Sequence, residues 1–355
     1  MTLPFSERAA TLLANMLFDV VFPKGLVLAL VAILLGAALR RSSAGGRATV
    51  WTATLVSLVA LSFTVVPWLF HTAIPRIWVV ELAAFPQGLF KQTVPGLTLA
   101  DGPASLAAWL GIVWVAGALL LLVRFGVSLA RIAAITRRSR PLPSAGFERT
   151  VRGALAGCPR SASIRVRLTH ELSLPVTWGL LRPVILLPDG ARAWNEDLLR
   201  AVLRHEAAHV ARRDYLALVA LQLARAVHWP NPLVWIVVRQ ARLDQERACD
   251  DAALDEGITP AEYARHLVTV ARTALVPSVA SAALPMARPS VLRDRVRDIM
   301  RPDADRRPAT RRMVAIAFVV MTLVAAQLSL SNLWECPLAS ADAAPAVSAP
   351  STTNS

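Results

Sequence analysis

The stretch Arg204–Tyr215 reads RHEAAHVARRDY. Its first half, His-Glu-Ala-Ala-His, sets two imidazoles four residues apart, so a helix aims both the same way and lets them share one metal ion. Glu206 falls one step round that helix, close enough to hold a water bound to the ion. Zinc would lower that water's pKa to about 7, and the glutamate would take its proton as it attacks a polarised carbonyl. The spacing makes His205 and His209 candidate zinc ligands and Glu206 the candidate catalytic base. The bland alternative is a surface helix that happens to carry two histidines.

A hydrolytic zinc site needs a third protein ligand and an open fourth position. The metzincin continuation would put a histidine at Tyr215 and a glycine at Arg212, so that class is excluded. Glu246, 37 residues after His209 on a separate predicted helix, is the best third ligand. Asp250 follows it by one turn on the same face, suited to accept the free N–H of a ligating histidine. His228, Asp214, Asp244 and Asp251 compete for the third place, and Glu246 with Asp250 also reads as a plain acidic face. His228 stands beside Trp229 and two prolines in a turn, which favours packing or a substrate-side role.

Outward from this stretch, the 355-residue chain is 55% apolar with a positive mean hydropathy, unusual for a purely soluble protein. Four runs reach the roughly 20 residues that a bilayer span needs: 20–39, 50–70, 104–123 and 313–334. The last three contain no Asp, Glu, Lys or Arg. In the first, Lys24 near the start can snorkel to the interface. Arg40, Arg41 and Arg47 lie between the first two runs, Arg124, Arg131, Arg137, Arg138 and Arg140 follow the third, and Arg311 and Arg312 precede the fourth. Arginine excess marks the cytoplasmic side. The expectation is therefore a multi-pass membrane protein with both termini outside. Its parts are a membrane region over 1–123, a cytoplasmic segment over 124–312, a fourth span over 313–334, and a short disordered outer tail over 335–355. The first run reads as a retained anchor, because a basic n-region is missing and arginines follow it.

The 124–312 segment holds 31 arginines against 18 acids. With neither zinc-finger spacing nor aromatic-interleaved basic stretches, attraction to an anionic inner leaflet is a plainer account than direct nucleic-acid binding. Cys158, Cys249 and Cys336 make no metal pair and no disulfide framework, and read as incidental. A basic amphipathic helix continues the third span until RPLPSAG at 140–146 breaks it. IRVRL at 164–168 and PVILLP at 183–188 are strand candidates, with VTWGLL at 176–181 placed to pair with the second. Asn195 before Glu196 and Asp197 reads as a helix N-cap. That helix runs through His209, Asp214 caps a second helix to about 227, and Asn231–Pro232 starts the helix that carries Glu246. Beyond Pro285 a short amphipathic helix and a loose juxtamembrane linker are expected, and any self-cleavage is expected there, within 285–312.

HEAAH followed five residues later by Asp214, then HWPNPLVW, then ERACDDAAL, with VTWGLLRPVILLP upstream, resembles the BlaR/MecR-type antirepressor metallopeptidases of bacterial resistance signalling. The four motifs stand in the family's order, and the resemblance covers about 12–334. It implies a mainly α membrane protein with four transmembrane helices and a cytoplasmic α+β, gluzincin-like zinc peptidase domain between helices three and four. It implies a membrane-embedded zinc endopeptidase that cleaves itself, a cytoplasmic transcriptional repressor, or both. By position, His205, His209 and Glu246 would bind Zn2+, Glu206 would be the base, and Asp250 and Asp214 would support the ligands. WGLLRPVILLP resembles an edge strand that pairs with an extended substrate backbone, which makes Trp178, Gly179, Leu180 and Leu181 candidate substrate-binding residues, with Asn231 beside them. The repressor and the bilayer are the expected partners, and the reading accommodates a homodimer.

The best-known members carry an extracellular penicillin-binding sensor, whereas 21 residues follow Trp334 here. Val21 and Gly88 stand three residues before Lys24 and Lys91, so a Ser-x-x-Lys acylation site is not expected. A signal is then expected through the outer loop at 71–103, the spans or a partner. Two other readings stand beside this one: a housekeeping membrane zinc protease of membrane or prenylated proteins, and a non-catalytic signalling receptor. Cutting inside the bilayer is disfavoured by Arg204, Arg212 and Arg213, which belong at a water-accessible surface.

Overall fold

The structure is a computed structural model that describes residues 21–63, 105–254, 257–274 and 289–330. The outer loop at 71–103, the ends of the second and fourth runs (64–70 and 331–334) and the tail at 335–355 lie outside the described residues. In chain order come α1 (Gly25–Ala38), α2 (Ala44–Phe63), α3 (Ser105–Arg138) and α4 (Ala145–Leu155), then β1 (Arg165–Thr169), β2 (Val176–Trp178) and β3 (Val184–Pro188). They are followed by α5 (Glu196–Arg212), α6 (Asp214–Val227), α7 (Pro232–Leu254), α8 (Pro260–Ala274), α9 (Pro289–Ile299) and α10 (Arg311–Leu330). Four of the described helices are long and apolar enough to cross a membrane, over Val21–Arg41, Ala44–Ser62, Trp109–Arg138 and Arg311–Ser329. The second starts earlier than its apolar run, at Ala44, and so includes Arg47.

The small sheet has the order β1-β3-β2, with β1 parallel and β2 antiparallel to β3. The central β3 is buried along its whole length, as its uninterrupted apolar run demands. Its Ile185 and Leu187 pack with Val151 and Leu155 of α4 and Leu199 and Leu203 of α5. Val184 and Leu186 face the other way, onto Ile135 near the end of α3. The C-terminal extension of the third apolar helix thus forms one wall of the sheet domain. Gly179, at φ 96°, makes the β2–β3 turn, where a Cβ would come within 2.9 Å of the Arg182 carbonyl. α4 and α8 were not expected from the sequence. Both are amphipathic helices whose buried residues, such as Val151 and Tyr263, close the domain's two apolar clusters.

The second core joins Leu28 and Ala32 of α1, Trp51 and Leu58 of α2, Leu221 and Ala224 of α6, Val234 and Val237 of α7, and Ala317 and Met321 of α10. Alanine and glycine at the crossings let these helices approach closely: a Cβ on Gly36 would fall inside the Trp51 ring, and one on Gly117 inside that of Trp229. The apolar run of α6 suits packing against membrane or core, and the α6–α7 hairpin packs among the four apolar helices. At its tip, His228 Nε2 lies 3.1 Å from the Leu58 carbonyl and 3.2 Å from Ser62 Oγ. The Trp114 indole donates to the Val227 carbonyl at 2.8 Å, and the Trp229 indole to the Trp114 carbonyl at 2.9 Å. At its base, Asp244 accepts from Arg47 (2.9 Å) and from the Trp51 indole (2.8 Å). Between Arg47 and Ser62, α2 rises about 22 Å, so the hairpin runs beside this span through most of its length. Leu216, Leu223, Trp235 and Ile236, exposed on the hairpin, suit that apolar setting.

The Arg47–Asp244 pair is buried, with side chains 15% and 3% exposed, and removing one partner of such a pair costs about 3–5 kcal/mol. Asp244→Ala should therefore melt well below wild type in detergent, and Asp244→Asn, which keeps an acceptor for Trp51, should lose less. An unchanged melting curve for Asp244→Ala would show that this contact does not hold the hairpin to the span.

Candidate active site

α5 is set by its ends. Asn195 Oδ1 accepts from the Leu198 amide at 2.9 Å, and Glu196 and Asp197 occupy the first turn, where acids complement the helix dipole. The helix continues past His209 to Arg212 and stops where Arg213 takes a left-handed backbone, φ 59° and ψ 37°. That turn does what a helical cap at Asp214 would not: it folds the Asp214 carboxylate back to within 2.9 Å of His209 Nδ1. Asp214 makes no capping bond to α6.

His205 and His209, one turn apart, present their rings edge to face with centroids 5.0 Å apart. Glu246 arrives from α7, its Oε2 3.7 Å from His205 Nε2 and its Oε1 3.8 Å from His209 Nε2. One donor atom from each of the three residues lies within 4.8 Å of the other two. Donors on a tetrahedral zinc with bonds of about 2.0–2.1 Å stand roughly 3.4 Å apart, close to the 3.7 and 3.8 Å that separate the two Glu246 oxygens from the Nε2 atoms. The other ring nitrogens face carboxylates: His205 Nδ1 is 3.1 Å from Asp250 Oδ1, and His209 Nδ1 is 2.9 Å from Asp214 Oδ2. Such carboxylates fix ring orientation and leave Nε2 for a metal. Two nitrogens and one oxygen, each imidazole backed by a carboxylate, are a donor set that suits zinc.

Glu206 is 9% exposed, and Thr177 of β2 donates to its Oε2 at 2.6 Å. Among the described residues no other hydrogen bond reaches this carboxylate, which leaves Oε1 for proton transfer. β2 is an edge strand, and among the described residues its outer edge is unpaired.

The charges of this buried group balance. Burial opposes protonation of His205, but hydrogen bonds to Asp250 and Glu246 raise its pKa to about 9. His209 is raised for the same reason, against burial, by Asp214 and by the charge of Glu246. Burial favours neutral Glu246, yet the Arg295 charge and the His205 bond bring it down to about 2. Asp250, also against its burial, is held well below the ordinary carboxylate range by Arg295.

The other candidates fall elsewhere. Asp244 is on the span side of α7, Asp251 is 3.5 Å from Arg306, and His228 is buried at the hairpin tip. Trp178 turns to the opposite face of the sheet, where its indole donates to Thr136 Oγ1 at 2.9 Å. Leu180 and Leu181 are exposed beyond the turn at Gly179. Asn231 is not brought to the group: it is fully buried, and its side chain accepts from the Leu233 amide at 3.0 Å to start α7. Cys249 is not incidental, since its Sγ lies 3.3 Å from His209 Nδ1 and 3.5 Å from Asp214 Oδ2. Its spacing of three from Glu246 could have revealed this. Three further residues carry no such signal: Thr177, Arg295, and Tyr263, whose hydroxyl donates to Asp250 at 2.9 Å. The juxtamembrane linker is less loose than expected, because Arg306 Nη2 donates to the Ile299 carbonyl at 2.7 Å.

Comparison with known proteins bears on this group. The model of the BlaR1 peptidase M56 family matches residues 24–299. The regulatory protein BlaR1 of Bacillus licheniformis is 40% identical over 80 residues, which cover 22% of this chain and 13% of that relative. The match thus spans only a small part of the relative's length.

In the metal-free protein both imidazoles are raised, so a cation must displace protons from them. With His205 at about 9, affinity for a divalent cation should strengthen from pH 6 to pH 8, by up to about tenfold per pH unit for each proton released. A chelator-competition titration that gave equal affinity across this range would remove the imidazoles from the ligand set.

Proposed function

The chain belongs to the BlaR1 peptidase M56 family, and on that footing we propose that it is a zinc endopeptidase of bacterial signal transduction that cleaves itself, a cytoplasmic transcriptional repressor, or both. The family is one of metallopeptidases, and four apolar helices make the chain a multi-pass membrane protein. The observation that carries the reading is the convergence of His205, His209 and Glu246, with Asp250 and Asp214 behind the two rings.

In this reading His205, His209 and Glu246 hold the zinc. When bound, it supplies Lewis acidity, polarising the scissile carbonyl and making a water acidic near neutral pH. Glu206 Oε1 accepts the proton of the attacking water and hands it to the departing amine, while Thr177 keeps Oε2 in place. The free edge of β2 takes the substrate as an added strand. Asp214 and Asp250 keep the imidazole N–H bonds, so neither ring turns during the cycle. The basic flanks support a site on the cytoplasmic side, at the foot of the spans, within reach of a soluble repressor. The name of the Bacillus licheniformis relative, a regulatory protein, supports a signalling role.

Glu206→Gln should keep about one zinc per chain and lower cleavage by at least about a hundredfold. Mass spectrometry of fragments, from the full chain alone and with a repressor encoded beside it, checks this. Equal fragments from wild type and Glu206→Gln would remove Glu206 as the base.

A further inference from the structure

We propose that Arg295 is a positioning residue of the metal site, and that α9 through it keeps Glu246 and Asp250 aligned with the histidine pair. The inference rests on the reading of His205, His209 and Glu246 as metal ligands. Arg295 comes from the segment just before the fourth span, yet it is only 9% exposed. Its Nε donates to Asp250 Oδ2 at 2.8 Å and its Nη2 to Asp250 Oδ1 at 2.6 Å, a fork on one carboxylate. The remaining Nη1 lies 3.1 Å from Glu246 Oε2. One planar group therefore spans two carboxylates set a helical turn apart on α7.

These are the two carboxylates that meet His205, Asp250 at Nδ1 and Glu246 at Nε2. Fixing both fixes the ring and the oxygen donor together. A lysine cannot substitute, since a single ammonium is a point charge that does not bridge two carboxylates. α9 is held in this position by Arg247, whose Nε lies 2.5 Å from Asp298 Oδ2, and by Ile299 in the apolar cluster with Tyr263. The chain then passes directly into α10, so the segment that completes the site is the one joined to the fourth span.

Arg295→Lys separates geometry from charge. Zinc titrated against a chromophoric chelator should bind full-length Arg295→Lys and Arg295→Gln in detergent about tenfold or more weakly than wild type. Arg297→Gln, on the same helix with its side chain 66% exposed, should match wild type. Arg295→Lys should keep wild-type helicity without metal, and saturating zinc should restore its occupancy and its cleavage. Should Arg295→Gln fail to fold, the lysine variant carries the test. Wild-type zinc affinity in Arg295→Lys overturns the proposal, as does a fold defect that saturating zinc does not repair. A wild type that binds no zinc overturns the metallopeptidase reading instead.

Discussion

The register of α7 is the constraint on which the rest depends. Asp244 and Glu246 are two residues apart, about 200° round a helix, whereas Glu246 and Asp250 differ by only about 40°. The first must therefore face away from the other two, and it does: Asp244 meets Arg47 and Trp51 of a span, while Glu246 and Asp250 meet the histidines. A slide or rotation of this helix breaks both sets at once. The membrane packing and the chemistry of the site are for this reason one problem, solved by one helix buried on two sides.

Stability alone does not account for so much buried charge. Taking carboxylates and guanidinium groups out of water costs several kcal/mol per ion, and a well-packed apolar substitute is often as stable. What such a network provides is discrimination between positions: with Glu246, Asp250 and Asp214 all ionised and nearly inaccessible, only the arrangement that gives each a partner is tolerated. The apolar part of the design is looser. Small residues at Gly36 and Gly117 let tryptophans lie flat against neighbouring helices, and this packing sets distance but not register. The charged contacts at the base of the hairpin supply the register.

Much of this was legible where spacing is local. The two imidazoles on one helix, Glu206 beside them, and the pairing of Glu246 with Asp250 follow from helical periods within a few residues. One strand followed from apolar residues alternating with arginine at 164–168, another from the apolar run between prolines at 183–188, and the N-cap from Asn195. Less could be read where the partner is distant in sequence. Nothing near Thr177, Tyr263 or Arg295 announces the carboxylates they hold, since each meets its partner only through tertiary packing. The apolar run of α6 pointed to packing against membrane or core, but its 14 residues, too few for a span, did not name the helices it meets. Asp214 was read as a cap on its residue type and as a support for a ligand by resemblance, and the left-handed Arg213 that turns it toward His209 has no sequence signature comparable to glycine.

The two histidines are supported in different ways, and this asymmetry bears on when the site is complete. His209 takes its carboxylate from Asp214, five residues away across a single turn, so α5 and the start of α6 suffice to orient it. His205 depends on Asp250 of α7, which is held in turn by Tyr263 of α8 and Arg295 of α9. One half of the ligand set forms with local structure, and the other forms only when three later helices have docked. The loop-closure cost of bringing such distant residues together is met by tertiary contacts, and here those contacts include the segment that runs into the fourth span. The carboxylate behind His205 thus depends on α9, so any movement that frees α9 loosens Asp250 and Glu246 while leaving the Asp214 contact to His209 in place.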